Sequence, residues 1–446
     1  MAVDLQPTPG RPTGAVEAVE RTLDRAAAGV ALNAFITLAP ERARDAARAV
    51  DGAAAARGPG FHLAGWTIAV KDLIDSARLV TAAGSSRTTV ARRDAVVLRN
   101  LRQAGAVPIG KANMDEWGLG VSGRNEAWGD CLNPWRRDRL AGGSSSGSAV
   151  AVAAGITRLG LGTDTAGSLR IPASFCGVTA LKPTHGRLDG SGVLGLAPTL
   201  DAVGPIARSA ADCATAFAVM SGSRPGALAD EGGRRIGVAR GSYWQAVDVE
   251  VGQSLEAVAR RLERAGHKVL EVDVPAIAEA TRLAGVVLLY ELVHRHGDRW
   301  ARHASPVGRR VRRQLEQGAA TPRPEYAAAL RFRDGWLAQL AEVFEKVDVI
   351  LHASTASVAP PATQHVTTAE LTRMCAAWNL AGMPVLAVPC GAGNDGLPIG
   401  ASLVGPAGAE RMMLGLGTTY QSLTDWHLRR PDTGSTSKRE RMEDQA

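Results

Sequence analysis

A chain of 446 residues with 45% apolar and 21% charged residues can bury a sizeable core, and its length admits two or three small domains or one large α/β domain. The 50 Gly and 23 Pro follow no three-residue period, which excludes a collagen-like fibre, and five scattered Cys, an odd number, make no disulfide framework. The net charge of +7 is a mild, dispersed excess without a basic–aromatic cluster, so no nucleic-acid partner is expected. No apolar run approaches the roughly 18 residues of a membrane span. The opening MAVDLQPTPGRPTG lacks a basic start followed by an apolar stretch, so no secretory signal is expected and the working compartment is read as the cytoplasm.

In chain order, 14–28 and 41–56 have helical composition and period, and the turn-rich 56–65 follows. WTIAVKD (66–72) reads as a buried strand ending in two charges. A helix at 94–105 closes on Gly105, and 106–114 is a second strand. This alternation argues for layered α/β architecture. From Gly118 to about Gly204, Gly and Ser dominate. The segment 141–156 begins as a Gly/Ser loop and becomes an apolar helix. The segment 159–184 reads as a strand, a loop of small residues and another apolar stretch. Interleaved Val, Ile and Ala runs must be buried, so this is not a flexible linker. Alternation resumes with a helix at 209–222, a strand at 234–240, a helix at 251–266 and a strand at 267–273. Two or three helices over about 275–346, strands at 346–354, 383–389 and 397–405, and a closing helix at 409–423 complete the pattern. The polar tail 429–446 is expected to be disordered.

Three polar features stand out. Lys71 ends the strand TIAV. Gly142-Gly143-Ser144-Ser145-Ser146-Gly147-Ser148 opens a helix, supplying free N–H groups and hydroxyls that suit an anion or a polar reaction centre, or a plain N-cap. Gly162-Thr163-Asp164-Thr165-Ala166-Gly167-Ser168 lets backbone approach a substrate closely and can expose a Ser nucleophile beside N–H groups aimed at an oxyanion. Neither Gly/Ser run has the Gly-Lys-Ser/Thr of a phosphate-binding P-loop, and neither Ser146 nor Ser168 has the neighbours of a Gly-x-Ser-x-Gly nucleophile elbow. The nine His are dispersed, and His294-x-His296 has no partners at ligand spacing, so no metal site is expected. Cys176 lies in an apolar run and reads as a core residue.

Together, GWTIAVKD, GKANMDEWGLG, AGGSSSGSAVAVAAG, LGLGTDTAGSLRIPASFCGVTALKPTHGRL, DAVGPIARSAADC and NLAGMPVLAVPCG with GLPIGASLVGP resemble the amidase signature family over about 14–425. The resemblance implies one α/β domain over 1–428, a large mixed twisted sheet flanked by helices on both faces, with a catalytic core at about 64–215 and a helical lid at about 275–346. It implies Ser168 as nucleophile, Ser144 as the bridging hydroxyl and Lys71 as the base. It implies an oxyanion hole from the N–H groups of Thr165, Ala166, Gly167 and Ser168, with Ser145, Asp164 and Arg170 holding the loop. A Ser hydroxyl needs a base at neutral pH, and Lys71 can serve only if it is neutral, with its pKa pulled down by burial and crowding by backbone donors. Ser146 and Ala166 stand where the family commonly has Gly, and 352–362 stands where a Thr-Pro pair is frequent. No cofactor or metal is implied.

Substrate choice is less legible. Gly120, Val121 and Ser122 match an acyl-pocket position in relatives, and 286–345, with Trp300 and Trp336, is the expected variable lid. NMDE and GDCLNP look like motifs of tRNA-dependent amidotransferase A-type subunits and of small-amide hydrolases, but the glutamine-binding segment is unclear around LLYELVHRHGDRW. The expectation is a stand-alone hydrolase of a small carboxamide, releasing carboxylate and ammonia or amine. The alternatives are the glutaminase-type component of a tRNA-dependent amidotransferase, its A-type subunit, and a non-catalytic scaffold member of the fold. A small-molecule amide is the expected partner, with no membrane association, and a homodimer is compatible with the resemblance.

Overall fold

In a computed structural model of the chain, residues 14–57, 61–86, 89–228, 232–301 and 307–432 are described. Eleven strands among them form one sheet: β1 (Phe35–Leu38), β2 (Thr67–Lys71), β3 (Val107–Ala112), β4 (Leu159–Asp164), β5 (Thr179–Lys182), β6 (Ala202–Ala207), β7 (Arg235–Ala239), β8 (Lys268–Val272), β9 (Val349–Ala353), β10 (Val385–Ala392) and β11 (Pro398–Val404). Their spatial order is β1-β3-β2-β4-β6-β5-β10-β11-β9-β7-β8. β2 is parallel to β3 and β4, and β7 is parallel to β8 and β9; the remaining neighbours are antiparallel. This is the mixed sheet that the family resemblance implies.

Side chains alternate between two covered faces. Ile68 and Val70 of β2 share a cluster with the helices Val96–Gln103, Ala210–Met220, Val249–Arg264 and Glu410–Ser422. Ala69 between them faces the helices Ser146–Ala153 and Arg170–Cys176. Burial on both faces explains why the central strands are apolar throughout and not alternating. All eight residues of Ser146–Ala153 are buried, and the hydroxyls of Ser146 and Ser148 donate to Asn113 O and Leu161 O. This helix lies so close to the neighbouring backbone that a Cβ on Gly147 would run into Ala34 O and Asn113 N.

Among the elements that were not legible, three belong to the core layers or the main sheet. The helix Arg170–Cys176 hides in RIPASFC because Pro172 reads as a breaker, but Pro is tolerated in a first turn. Gly177, at φ 68°, closes the helix in the left-handed region. β6 contains Gly204-Pro205 and is nevertheless internal, with Leu161 paired to Pro205. A central Pro is disfavoured in strands, which masked this one. β1 is a four-residue edge strand with mixed burial. Three helices, Ile277–Ala301, Arg309–Ala319 and Arg323–Lys346, fill the expected helical region. Of the expected disordered tail, Arg429 stacks on the Trp426 ring at 4.0 Å, and 433–446 lie outside the described residues. Among the described residues no helix is long and apolar enough to cross a membrane.

Candidate active site

Lys71 is the last residue of β2 and is fully buried, in a strand whose five residues are all buried. Its Nζ lies 2.8 Å from Ser144 Oγ and 2.8 Å from Thr163 Oγ1. No carboxylate among the described residues pairs with it. Burial therefore dominates and lowers its pKa to about 7, against the weaker opposing pull of Asp115, Asp164 and Asp201. The crowding by backbone donors expected from the sequence plays no part; the neighbouring charges are carboxylates, which favour the protonated amine. An amine poised near 7 can take up and return a proton at neutral pH.

Ser144 follows a cis peptide bond from Gly143 and is buried. Ser145 ties the two glycine-rich segments together. Its Oγ donates to Thr163 O at 3.1 Å and accepts from Thr163 N at 3.3 Å, and its N–H donates to Ser168 O at 3.2 Å. These bonds bring Ser168, just ahead of the helix Arg170–Cys176, to the start of the helix that Ser144 precedes. The Ser168 hydroxyl makes no hydrogen bond among the described residues, and it is not among the sealed polar atoms that lack a partner. It is joined to neither Ser144 nor Lys71, and it stays open to an incoming group.

Asp164 and Arg170 form a fully buried bidentate pair, with Nε and Nη2 at 2.9 and 2.8 Å from the two carboxylate oxygens. Asp164 also accepts from Gly167 N at 2.7 Å, Leu169 N at 3.1 Å and Asn379 Nδ2 at 2.9 Å. The guanidinium and these donors outweigh burial and hold the carboxyl well below the usual range. Gly167, at φ 121°, thus departs from expectation: its N–H serves Asp164 and is not free for an oxyanion. The N–H groups of Ala166 and Ser168 have no hydrogen-bond partner among the described residues. Thr165 is held from its side chain, donating to Asp201 Oδ1 at 2.6 Å. Asp201 also accepts from Leu196 N and Ala197 N, and burial pushes its carboxyl up to about 6.

Sequence reasoning missed Thr163, Asn379, Asp115 and Asp201. All four lie inside the quoted motifs, but only the fold brings Asn379 beside Asp164. Asp115 organises the 120–123 turn: it accepts from Gly123 N at 2.9 Å and from Ser122 Oγ at 3.2 Å, and pairs with Arg310 at 2.9 Å. Arg310 also donates to Ser122 Oγ at 3.1 Å. Gly120 stands against Asp115 and Arg310, and Val121 packs with Ile171, Phe175 and Leu371. Arg310→Met should loosen this turn and raise KM for an amide about 10-fold with a smaller change in kcat. Steady-state kinetics check it, and an unchanged KM would remove the turn from substrate positioning.

Other candidates occupy packing roles. Cys176 is buried, its Sγ donating to Ala141 O at 3.3 Å, and burial pushes its thiol up, so it stays protonated. His296 Nε2 meets Gly195 O at 2.7 Å while His294 stacks on Tyr290. Trp336 is buried, with Nε1 donating to Pro275 O at 2.7 Å. The side chain of Trp300 lies outside the described residues.

Comparison with known proteins gives the family and the fold. A family model described as Amidase matches residues 17–414. The A-type subunit of the glutamyl-tRNA(Gln) amidotransferase of Roseiflexus sp. (strain RS-1) is 35% identical over 475 residues, covering 94% of each chain. A structure described as a vestigial protein complex that reveals the evolutionary origins of an s-triazine catabolic enzyme superposes with a TM-score of 0.86 at 32% identity, covering 92% of this chain and 95% of the other. The native peptide amidase from Stenotrophomonas maltophilia gives 0.81 at 27% identity, covering 96% and 100%. With its mixed sheet, its buried lysine against Ser144 and a family match over nearly its whole length, the chain belongs to the amidase family of hydrolases that act on carbon–nitrogen bonds.

Proposed function

We propose that the protein cleaves a carboxamide through an acyl-enzyme on Ser168. The observation that carries this reading is the Lys71 amine, lowered to about 7 and 2.8 Å from the Ser144 hydroxyl. The Ser168 hydroxyl passes its proton to Ser144 Oγ as the Ser144 proton moves to Lys71 Nζ. Ser168 Oγ then attacks the amide carbon. The resulting oxyanion takes hydrogen bonds from the free N–H groups of Ala166 and Ser168, held in place by the Asp164 network. The relay returns the proton to the nitrogen, the C–N bond breaks, and water releases the carboxylate by the same route. The Ser144–Ser168 step closes when substrate is bound, since catalytic hydrogen bonds often tighten only in the complex.

Two substrate readings follow. The name of the Roseiflexus relative supports the amidotransferase reading, in which this chain acts as the glutaminase-type component together with partner proteins. That changes the order expected from the sequence, which put a stand-alone hydrolase of a small carboxamide first. The likeness to peptide amidase supports the stand-alone reading. A fluorophosphonate probe should label Ser168 in the wild type and not in Ser168→Ala, with labelling at least ~100-fold slower in Lys71→Ala. Absence of wild-type labelling would count for the scaffold reading. Ammonia release from glutamine and simple amides, with and without partner proteins, separates the other two. Turnover of glutamine only in the presence of partners favours the amidotransferase component, and turnover of simple amides by this chain on its own favours the hydrolase.

A further inference from the structure

A cavity of about 400 Å³ opens between the end of β4 and the 183–203 loop, lined among others by Thr163, Thr165, Leu196, Asp201 and Arg295. That volume suits a small organic molecule. One end is formed by Thr163, whose hydroxyl bonds Lys71 Nζ at 2.8 Å, so the cavity adjoins the relay. Leu188, Val193, Leu196 and Val203 line it with apolar side chains suited to a carbon skeleton. Arg295 reaches it from the helix Ile277–Ala301. A Cβ on Gly195 would stand 3.6 Å from Arg295 Nη2 and 3.7 Å from Cζ, so the guanidinium lies against the cavity wall.

Arg295 and Asp201 attract one another across the lining without forming an ion pair. No carboxylate among the described residues lies within ion-pair distance of it. The nearby Asp201 is committed on both oxygens, to Thr165 Oγ1 at 2.6 Å and to Leu196 N and Ala197 N at 2.7 and 3.0 Å. His185, the other titratable group of the lining, has its pKa lowered by burial first, so it adds no positive charge at neutral pH. A planar guanidinium with no ion pair among the described residues, at the end of a partly apolar pocket, matches a carboxylate in bidentate geometry.

We propose that this cavity holds the part of the substrate remote from the scissile bond, and that Arg295 selects amides carrying a carboxylate there. The inference rests on the amidase reading and names its substrate class. The competing role for Arg295, which is exposed, is that of a solvated surface arginine.

The test uses the full-length protein and matched amides differing only in a terminal carboxylate or its neutral carboxamide, with the charged group on either side of the scissile bond. In the wild type the anionic member of at least one pair should be favoured about 10-fold or more in kcat/KM. In Arg295→Gln that preference should fall to near unity, mainly through KM, and Arg295→Lys should restore part of it. Equal turnover of both members by the wild type, or a preference that survives in Arg295→Gln, would overturn the proposal. Fluorophosphonate labelling of Ser168 is run alongside. A protein that labels and turns over amides without regard to charge defeats the assignment to Arg295 alone. One that neither labels nor hydrolyses defeats the amidase reading and this proposal with it.

Discussion

Replacing Lys71 with Met is expected to abolish amide turnover, by about 10³- to 10⁴-fold, while making the protein more stable at neutral pH. The first effect follows from geometry: Nζ is the basic atom at the end of the relay, 2.8 Å from Ser144 Oγ, and Met offers no lone pair of comparable basicity. The second follows from the lowered pKa. A lysine at about 7 in the folded chain and near 10.5 unfolded binds its proton more readily in the unfolded state. Stability therefore rises with pH between about 7 and 10.5, and the native state carries its full penalty below 7. At pH 7 that penalty is about 4 kcal/mol. Met removes it, giving back about half through the lost hydrogen bonds to Ser144 and Thr163. Thermal unfolding at pH 7 should show a melting temperature a few degrees higher than wild type, and the difference should shrink toward pH 10. Wild-type kcat/KM should climb through about pH 7 as the amine loses its proton. A Met variant that melts lower than wild type at pH 7, or a flat wild-type profile between pH 6 and 8, would show that Lys71 is charged in the folded protein.

Breaking the pair beneath the 164–170 loop is expected to be as damaging in the opposite sense. Arg170→Met leaves Asp164 a buried carboxylate stripped of its bidentate partner, at a cost of about 3–5 kcal/mol. Because Asp164 also holds the N–H groups of Gly167 and Leu169, the turn that presents Ser168 should loosen as well. Melting should fall by several degrees, and Ser168 should label more slowly even where the protein stays folded. Asp164→Asn combined with Arg170→Met should recover part of the stability, because neither partner is then left as a lone buried charge. Labelling should remain impaired in the double variant, since the carboxylate that anchored the turn is gone. A double variant no more stable than Arg170→Met would show that the loss lies in packing and not in an unpaired charge.

The residues behind these two expectations differ in how far they were legible. Lys71 and the two glycine-rich turns stood out as short local patterns, a charged residue closing an apolar strand and small residues needed for close approach, while the roles of Lys71, Ser144 and Ser168 came from the resemblance to the amidase signature family. The strands themselves were legible because burial on both faces makes them continuous apolar runs. The helix Arg170–Cys176 and β6 were not, because Pro172 and Pro205 read as breakers and only tertiary context allows them.

What the amino-acid order determined by itself was the class of architecture and the chemical inventory, since periodicity, glycine placement and residue type are local properties. The tertiary structure alone decided that Thr163 joins Ser144 on the Lys71 amine, that the N–H of Gly167 is consumed by Asp164, that Asn379 closes that network from 215 residues away, and that Arg295 faces a cavity with no ion pair among the described residues. Hydrogen bonds, desolvation and unpaired charge depend on which distant segments meet, and spacing along a chain does not carry that information.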